Sequence, residues 1–300
     1  MESGTVLGGR YELTAKVGSG SVGSVWRATD RVLGRVVAVK VLHPELAHDD
    51  TVVRRFAAEA RIMARLHHPG IAGLYDFGRD RDGTAYLVMA FIEGQSLRRL
   101  VGSGRTLPPA RVMDLVAQAA DALRTAHRAG VVHRDVKPVN LIVRMNGDVV
   151  LTDFGIARVP GNDLTGPGMV LGTAKYIAPE QAAGRQVTPA VDVYALGVTA
   201  YECLTGWPPF RGGTPMEVAQ HHITSTPPPL PPTVPRSVRD LVMAMLTKDP
   251  ARRPTAAQVA VAARLAARAP ADARLASATS AGRRVPSPRS ATPVDRRRRS

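Results

Sequence analysis

The sequence contains the stretch His133-Arg134-Asp135-Val136-Lys137-Pro138-Val139-Asn140, and a second stretch, Asp153-Phe154-Gly155, begins thirteen residues after it. Asp135 offers a carboxylate that can orient an acceptor hydroxyl, and the side-chain oxygens of Asn140 and Asp153 are the ligands that magnesium prefers. Transfer of a phosphoryl group needs little covalent chemistry from a protein, so an orienting carboxylate and metal ligands are most of what must be supplied. The two stretches therefore predict a site for phosphoryl transfer from ATP.

The order and spacing of these stretches resemble the catalytic loop and the magnesium loop of the eukaryotic-type protein kinases. The resemblance covers roughly residues 10–268. Lys137, together with Gly172-Thr173 ahead of Tyr176, is more typical of serine/threonine kinases than of tyrosine kinases. With its heavy use of Ala, Arg, Gly and Pro, the chain resembles a bacterial, actinobacterial-like eukaryotic-type (Hanks-type) serine/threonine protein kinase.

The resemblance implies a fold class and a chemistry. The fold would be α+β and bilobal, with an N-lobe of antiparallel sheet plus one helix and a mainly helical C-lobe. The chemistry would be transfer of the ATP γ-phosphate to Ser and Thr hydroxyls of proteins, including autophosphorylation, in signal transduction. The implied cofactors are ATP and Mg²⁺, with Mn²⁺ as an alternative metal ion. The implied partners are protein substrates and a second copy joined through the N-lobes for autophosphorylation.

Composition supports a large folded body. The 300 residues are 44% hydrophobic, which is enough to fill a sizeable core. The single cysteine, Cys203, excludes an intrachain disulfide and fits a reducing compartment. The net charge of +15 is unevenly spread, because residues 269–300 hold eight Arg against two Asp. Since no aromatic platform or nucleic-acid motif accompanies this charge, no nucleic-acid partner is expected.

Neither a signal peptide nor a membrane span is expected in this chain. Residues 1–9 lack a charged start followed by an apolar stretch, and no run of eighteen apolar residues occurs. The predicted localisation is therefore cytoplasmic. The alternative is a membrane-proximal position as part of a longer transmembrane kinase, because in membrane-anchored bacterial relatives a linker like residues 269–300 leads to a transmembrane helix.

Periodicity and composition divide the chain. Residues 1–10 are an N-terminal segment, residues 11–268 the kinase domain and residues 269–300 a disordered basic tail rich in Arg, Pro and Ser. The strand pattern stops after residue 92, so the N-lobe spans 11–92 and the C-lobe 93–268. The predicted strands cover 11–13, 22–28, 36–42, 71–77 and 84–92, and the predicted helices cover 51–66, 109–129, 191–205, 215–224, 234–246 and 255–268.

The run Val17-Gly18-Ser19-Gly20-Ser21-Val22-Gly23-Ser24-Val25 fits a glycine-rich loop over phosphates. Glycine lets the backbone approach a phosphate where a Cβ would clash. A dinucleotide-binding fold uses the same glycine spacing, but there the motif opens a helix. Here both flanks alternate like the strands of a hairpin, and Val37-Ala38-Val39-Lys40 follows in a further strand. The pattern therefore favours the kinase loop over an oxidoreductase.

The resemblance assigns a role to each polar residue of the site. Lys40 would hold the α- and β-phosphates of ATP while pairing with Glu59, which lies nineteen residues later on the next helix. Asp135 would act as the catalytic base, and Lys137 would stabilise charge on the transferred phosphoryl group. The magnesium ligands would be Asn140 and Asp153.

The adenine ring would occupy an apolar pocket between the lobes. Backbone groups of Ala90 and Ile92 would bond to its edge, and Met89 would stand at the back of the pocket. The family often has an acidic residue at the position of Ala90, but the bond there comes from the backbone. The faces of the pocket would be formed by Val25, Ala38 and Ile142.

The segment from Asp153 to Glu180 resembles an activation loop and contains a candidate regulatory site. Thr165 is the only Ser or Thr between Gly155 and Gly172. A phosphate on Thr165 would add about two negative charges and could order the loop against Arg134. We therefore expect activation by phosphorylation at Thr165, and the alternative is a loop without a regulatory role.

Other residues would have architectural roles or none. Glu180 and Arg253 resemble the buried ion pair that joins the activation segment to the last helices of the family, and Asp192 matches the aspartate that braces the catalytic loop. The doublets His67-His68 and His221-His222 could bind a metal, but adjacent residues do not point together and no carboxylate is spaced to help. The metal interpretation is therefore disfavoured.

Two rival functions remain open. A pseudokinase scaffold would bind partners without catalysis, but every phosphoryl-transfer position holds the expected residue type. A small-molecule kinase would share the fold, but the full activation segment ending in Ala178-Pro179-Glu180 disfavours it. The sequence does not indicate the physiological substrate or the activating signal.

Overall fold

A computed structural model describes residues 1–20, 22–47, 49–154 and 174–268, and the side chains of Arg55 and Glu59 fall outside the description. Ser21 and Thr165, both named above as candidate site residues, therefore lie outside the described residues. Residues 1–268 belong to one compact unit.

Six strands form the sheet of the N-lobe: β1 (Val6–Leu7), β2 (Tyr11–Ser19), β3 (Gly23–Asp30), β4 (Arg35–Leu42), β5 (Leu74–Arg79) and β6 (Ala85–Ala90). Neighbouring strands are antiparallel, and their order is β1-β2-β3-β4-β6-β5. The described residues of the glycine-rich run lie at the end of β2 and the start of β3, which pair with each other. Strand β4 lies in the middle of the sheet, paired with both β3 and β6.

The two faces of β4 bury different side chains because successive residues of a strand point to opposite sides. Val37, Val39 and Val41 pack in one buried cluster. Ala38 and Leu42 pack in another, on the face that also receives side chains of the helix α1 (Asp50–Met63). Lys40 alternates with Ala38 and Leu42 along β4, so its side chain leaves the strand on the same face of the sheet, the face that α1 covers.

Helix α1 is anchored at its start and along one stripe. The Asp49 carboxylate accepts hydrogen bonds from the backbone N–H groups of Thr51 and Val52, at 2.8 and 3.2 Å. Such a cap satisfies donors that have no partner within the helix. Val53 and Phe56 are buried against the sheet. The capping and the stripe together fix the helix beside Lys40.

The C-lobe is mainly helical. Its helices are α2 (Leu97–Leu100), α3 (Pro109–Arg128), α4 (Pro179–Ala182), α5 (Ala190–Thr205), α6 (Pro215–Thr224), α7 (Arg236–Met245) and α8 (Ala256–Arg268). Residues 191–204 of α5 are all buried, which is the pattern of a helix surrounded by its neighbours. Gly197 lets α7 approach closely, because a Cβ there would lie 2.9 Å from the Cβ of Met245. Helix α5 is thus the central element of the lobe.

A small three-stranded sheet positions the predicted catalytic residues. Its strands β7 (Gln95–Ser96), β8 (Leu141–Val143) and β9 (Val149–Leu151) pair in that order. Leu141 at the start of β8 faces Leu151 at the end of β9. The residues just before β8 and just after β9 therefore emerge at the same end of the hairpin, which brings Asn140 close to Asp153.

The predicted bilobal α+β fold is confirmed, with a sheet and one helix in the N-lobe and a mainly helical C-lobe. The longer predicted helices agree with the structure within a few residues, although α1 ends at Met63 and not at residue 66. The structure also contains β1, inside the predicted N-terminal segment, where Leu7 is fully buried and pairs with Tyr11. Across the described ranges, no helix is both long enough and apolar enough to cross a membrane.

Candidate active site

Asp192 of α5 holds the backbone of the predicted catalytic loop. Its Oδ2 accepts a hydrogen bond from the N–H of His133, and its Oδ1 accepts one from the N–H of Arg134, both at 2.8 Å. Nε2 of His127 donates to the same carboxylate at 2.8 Å. Arg134 has a φ of 64°, a left-handed conformation that costs energy outside glycine. The predicted brace is present, and it holds the loop in a conformation that ordinary backbone preferences would not select.

The carboxylate of Asp135 is held by two side chains from its own loop. Nζ of Lys137 lies 2.9 Å from Oδ2 of Asp135. Nδ2 of Asn140 donates to the same Oδ2 at 3.2 Å and to the backbone carbonyl of Asp135 at 2.9 Å. A one-turn 3₁₀ helix, Pro138–Asn140, brings the amide back toward the carboxylate. The structure thus brings together three of the predicted site residues around one oxygen.

Asp153 joins this group across the hairpin. The N–H of Thr152 donates to the carbonyl of Asn140 at 2.9 Å, which ties the two loops together. Asp153 has a φ of 53°, the second left-handed residue of the site. Its Oδ1 lies 3.2 Å from Nζ of Lys40. Lys40 of β4 therefore contacts this carboxylate, while the catalytic loop is hydrogen-bonded to the residue just before Asp153.

The ionised form of Asp153 is favoured. Burial alone would raise the pKa of its carboxyl, but the charge of Lys40, a hydrogen bond from Lys40 and the charge of Lys137 outweigh burial, so the pKa lies below its ordinary value. Lys40 was expected to pair with Glu59. The side chain of Glu59 lies outside the description, so that pair stays a prediction beside the observed contact with Asp153.

The donor set fits a magnesium ion. Oδ1 of Asp153 is buried beside the Lys40 ammonium at 3.2 Å, and the ionised carboxylate has further lone pairs with which it can bind a cation. The Asn140 amide donates through its nitrogen to Asp135, which leaves its oxygen as the atom available for a metal. A carboxylate oxygen and an amide oxygen are ligands suited to magnesium, which keeps further positions for water and phosphate.

The rings of His133 and Phe154 pack against each other at a tilt of 38° beside the catalytic loop. Their ring centroids are 4.4 Å apart, and both residues are fully buried. Burial lowers the pKa of His133 and keeps its ring neutral. Nε2 donates to the carbonyl of Thr152 at 3.1 Å, while Nδ1 accepts from the N–H of Asp135 at 3.3 Å. One buried ring therefore links the backbone of the catalytic loop to the residue before Asp153.

The glycines of the glycine-rich loop differ in the space around them. One has no room for a side chain, and another faces open space. A Cβ on Gly23 would lie 2.2 Å from the carbonyl oxygen of Val41, so only glycine fits beside β4. A Cβ on Gly18 would meet nothing within 4 Å. Nε2 of His43 lies 2.9 Å from the carbonyl oxygen of Gly20 and ties the loop to the residue after β4. His43 was not singled out from the sequence.

The candidate adenine pocket is formed at the junction of the lobes. Ala38 of β4 is paired with Met89 of β6, and both are buried. The N–H of Ala90 donates to the carbonyl of Gly73 at 2.8 Å, so Ala90 can offer only its carbonyl to a nucleotide. Val25 lies in β3 and Ile142 in β8, so the pocket would draw on both lobes. The nucleotide contacts themselves stay predictions.

Several contacts in the C-lobe join segments that are far apart in the chain. Tyr176 donates its hydroxyl to Oε2 of the buried Glu202 at 2.5 Å, and Glu202 also pairs with Arg98. His222, considered only as half of a histidine doublet, lies 3.0 Å through Nε2 from the carbonyl of Lys175. No local pattern signals these contacts, because their partners are far apart in the chain.

Comparisons with known proteins give a consistent result. The protein-family model described as "Protein kinase domain" matches residues 11–263. The chain is 48% identical over 255 residues to the serine/threonine-protein kinase PknA of Mycobacterium tuberculosis, covering 83% of this chain and 59% of that protein. It is 38% identical over 290 residues to the PknA serine/threonine-protein kinase of Corynebacterium glutamicum, and the match covers 95% of this chain and 59% of that protein. The chain thus spans less than two thirds of the length of these relatives.

A solved structure shows the same architecture. The crystal structure of the Mycobacterium tuberculosis PknI kinase domain matches with a TM-score of 0.66 and 29% sequence identity. The match covers 89% of this chain and 99% of that domain. The agreement therefore extends over both lobes.

Proposed function

This chain belongs to the protein kinase family, as a bacterial eukaryotic-type (Hanks-type) serine/threonine kinase, and from that premise we propose that it transfers the γ-phosphate of ATP to Ser and Thr hydroxyls of proteins, its own included. One observation carries this proposal. Oδ2 of Asp135 is held by the Lys137 ammonium at 2.9 Å and the Asn140 amide at 3.2 Å, on a loop that is hydrogen-bonded to the segment carrying Asp153.

The residues divide the work of the reaction. Asp135 orients the acceptor hydroxyl and accepts its proton, a contribution of about 10²- to 10⁴-fold in comparable enzymes. Lys137, already beside that carboxylate, stabilises charge on the phosphoryl group as it moves. Lys40 contacts the phosphates from β4. Asn140 and Asp153 would hold Mg²⁺, or Mn²⁺ in its place, which would offset the negative charge of the phosphates.

The nucleotide would bind between the lobes. The glycine-rich run 17–25 would cover the phosphates, with its backbone close to them at Gly18, where the structure leaves open space. The carbonyl of Ala90 and the N–H of Ile92 would bond to the adenine edge. Val25, Ala38, Ile142 and Met89 would enclose the ring.

Regulation would act through the activation loop. Phosphorylation of Thr165 would order the loop against Arg134, whose backbone is already fixed by Asp192. We further propose that Glu59 pairs with Lys40 in the active arrangement, and that two copies meet through their N-lobes for autophosphorylation. The kinase domain would comprise residues 11–268 with its lobes divided after residue 92, and residues 269–300 would act as a basic tail. The expected location is cytoplasmic.

The rival function is a scaffold that binds nucleotide without transfer. The test measures transfer of labelled phosphate from ATP to a mixed set of Ser/Thr peptides, and binding of a fluorescent ATP analogue, in the same preparations. We expect the wild type to do both and Asp135→Asn to bind the analogue with unchanged affinity while losing transfer. Binding without transfer in the wild type would favour the scaffold.

A further inference from the structure

His43, the residue that follows β4, is bonded twice to the glycine-rich loop. Nε2 of its ring lies 2.9 Å from the carbonyl oxygen of Gly20. A carbonyl oxygen can only accept, so Nε2 carries a proton and donates it. The backbone N–H of His43 donates to the carbonyl oxygen of Val22 at 3.0 Å. One residue at the end of β4 thus holds two carbonyl groups of the loop.

The backbone of His43 is itself anchored. Its carbonyl oxygen accepts a hydrogen bond from the N–H of Leu46 at 2.9 Å, in the short 3₁₀ helix Pro44–Leu46. A proline restricts the residue before it to an extended backbone, and His43 has this conformation, with φ −63° and ψ 140°. Leu46 packs against the buried cluster that β4 shares with α1. The backbone that carries the imidazole therefore has a fixed place at the end of β4.

The ring of His43 reaches the side of the loop that is not paired with β4. The pairing of β3 with β4 ends at Gly23 and Leu42. Gly20 lies on the other side of the loop, after β2, and its N–H donates to the carbonyl of Gly23 at 2.9 Å. The bond from the ring therefore joins the β2 side of the loop to β4, the strand that carries Lys40 three residues before His43.

The direction of these carbonyl groups matters for a phosphate ligand. Backbone N–H groups attract an anion, and carbonyl oxygens repel it. The oxygens of Gly20 and Val22 are both directed toward residue 43. Because a peptide group is planar and trans, the N–H of Gly23 points to the side opposite the Val22 oxygen. The bonds to His43 thus keep two carbonyl oxygens engaged and leave the N–H side of the Val22–Gly23 peptide for an anion.

We propose that His43 is a positioning residue for ATP, which holds the glycine-rich loop at a set distance from β4 and keeps the carbonyl oxygens of Gly20 and Val22 away from the phosphates. The inference rests on the proposed function, in which this loop covers the phosphates. The effect of His43 passes through the backbone of the loop. A loop that is held before ATP arrives loses less conformational freedom on binding. His43 therefore acts on the binding of nucleotide and leaves the binding of protein substrate unchanged.

The test compares three replacements of His43. His43→Leu removes the ring donor, His43→Gln keeps an amide that can donate to the Gly20 carbonyl, and His43→Asn places that amide one methylene shorter. His67→Leu is the matched control, because His67 is an exposed histidine of the same lobe. Binding and dissociation of a fluorescent ATP analogue are measured with Mg²⁺, together with the KM for ATP and the KM for a peptide substrate. Circular dichroism confirms that each variant is folded.

We expect His43→Leu to weaken binding of the analogue about threefold to tenfold, the effect of losing one hydrogen bond, mainly through faster dissociation. The KM for ATP should rise by the same factor, and the KM for peptide should not change. His43→Gln should recover most of the loss, and His43→Asn should resemble His43→Leu. His67→Leu should match the wild type.

Unchanged binding of the analogue in folded His43→Leu, or equal changes in the two KM values, would overturn the inference. A His43→Gln variant as weak as His43→Leu would also overturn it, because the ring would then act by its charge and not as a hydrogen-bond donor. If His43→Leu does not fold, equal binding by His43→Gln and His43→Asn decides against the inference. A wild type that binds the analogue but transfers no phosphate would instead overturn the proposed function.

Discussion

The guanidinium of Arg253 and the carboxylate of Glu180 form a buried two-point ion pair, with N–O distances of 2.6 and 2.7 Å. The same guanidinium donates to backbone carbonyls of Thr247, Ala190 and Lys248, at 2.6, 3.0 and 2.9 Å. All five N–H groups of the guanidinium thus donate a hydrogen bond. They join the end of the activation segment to α5 and to the turn before α8. The pair expected from the sequence is present.

Removing the cation of this pair should destabilise the fold strongly. Arg253→Met leaves the Glu180 carboxylate buried without its partner, which typically costs about 3 to 5 kcal/mol. Urea unfolding measures the free energy of unfolding. The control is Arg236→Met, which breaks an exposed pair with Asp240 that is worth less than about 1 kcal/mol. Similar losses in the two variants would contradict the buried role.

Much of the N-lobe could be predicted because its strands alternate and its helix carries a clear stripe. The strand β1 could not, since two residues are too few to show a period, and Leu7 is buried only because the sheet closes over it. The same holds for the three short strands under the catalytic loop. Their existence follows from tertiary packing and not from local propensity.

The residues of the site could be predicted from their motifs, but the long-range contacts around them could not. Asp135 and Asn140 are close in sequence, and their contact follows from a short turn. The contact between His222 and Lys175 joins residues 47 positions apart, and the one between Glu202 and Arg98 joins residues 104 apart. Such contacts depend on how the helices pack. The sequence around His222 and Glu202 therefore does not predict their partners.

Replacing the proposed magnesium ligand Asp153 should change the metal requirement. Asp153→Asn keeps the shape of the side chain but removes the charge that binds the cation, so the Mg²⁺ concentration for half-maximal transfer should rise about tenfold or more. A magnesium titration of the transfer rate measures this. Asp148→Asn, in the exposed turn between β8 and β9, is the control and should match the wild type. Equal magnesium requirements in the two variants would exclude Asp153 as a ligand.

Removing the proposed switch should lower activity toward other proteins. Thr165→Ala cannot gain the phosphate that would pair with Arg134, and the loss of one charge-assisted hydrogen bond corresponds to about tenfold in rate. Peptide transfer is measured for the wild type before and after phosphatase treatment and for the variant. Phosphatase-treated wild type should initially match Thr165→Ala. Full activity of Thr165→Ala after the same treatment would rule out the switch.

The buried His222 should make stability depend on pH. The pKa of His222 is lowered to about 3 by burial and by Lys248, whereas an unfolded histidine has a pKa of about 6.5. Between these values the unfolded chain binds more protons, so the free energy of unfolding falls as the pH falls. His222→Gln has no such titrating group. The difference in the free energy of unfolding between wild type and His222→Gln should therefore shrink by about 1.4 kcal/mol for each pH unit that the pH falls below 6.5.

The measurement is urea unfolding of both proteins from pH 8 to pH 4. Above pH 7 the difference between them should be constant, which serves as the internal control. Tyr194 and Lys248, which face the ring, are present in both proteins and their contributions cancel. A difference that stays constant down to pH 4 would show that the ring is not held neutral.

The proposed function depends on phosphate transfer by this chain. The most direct test incubates phosphatase-treated wild type and Asp135→Asn with ATP and Mg²⁺ and maps the phosphorylated residues by mass spectrometry. We predict phosphate on Thr165 in the wild type and none in Asp135→Asn. Equal incorporation in both proteins would remove Asp135 from the reaction, and no incorporation in a wild type that still binds ATP would contradict the assignment of a catalytically active kinase.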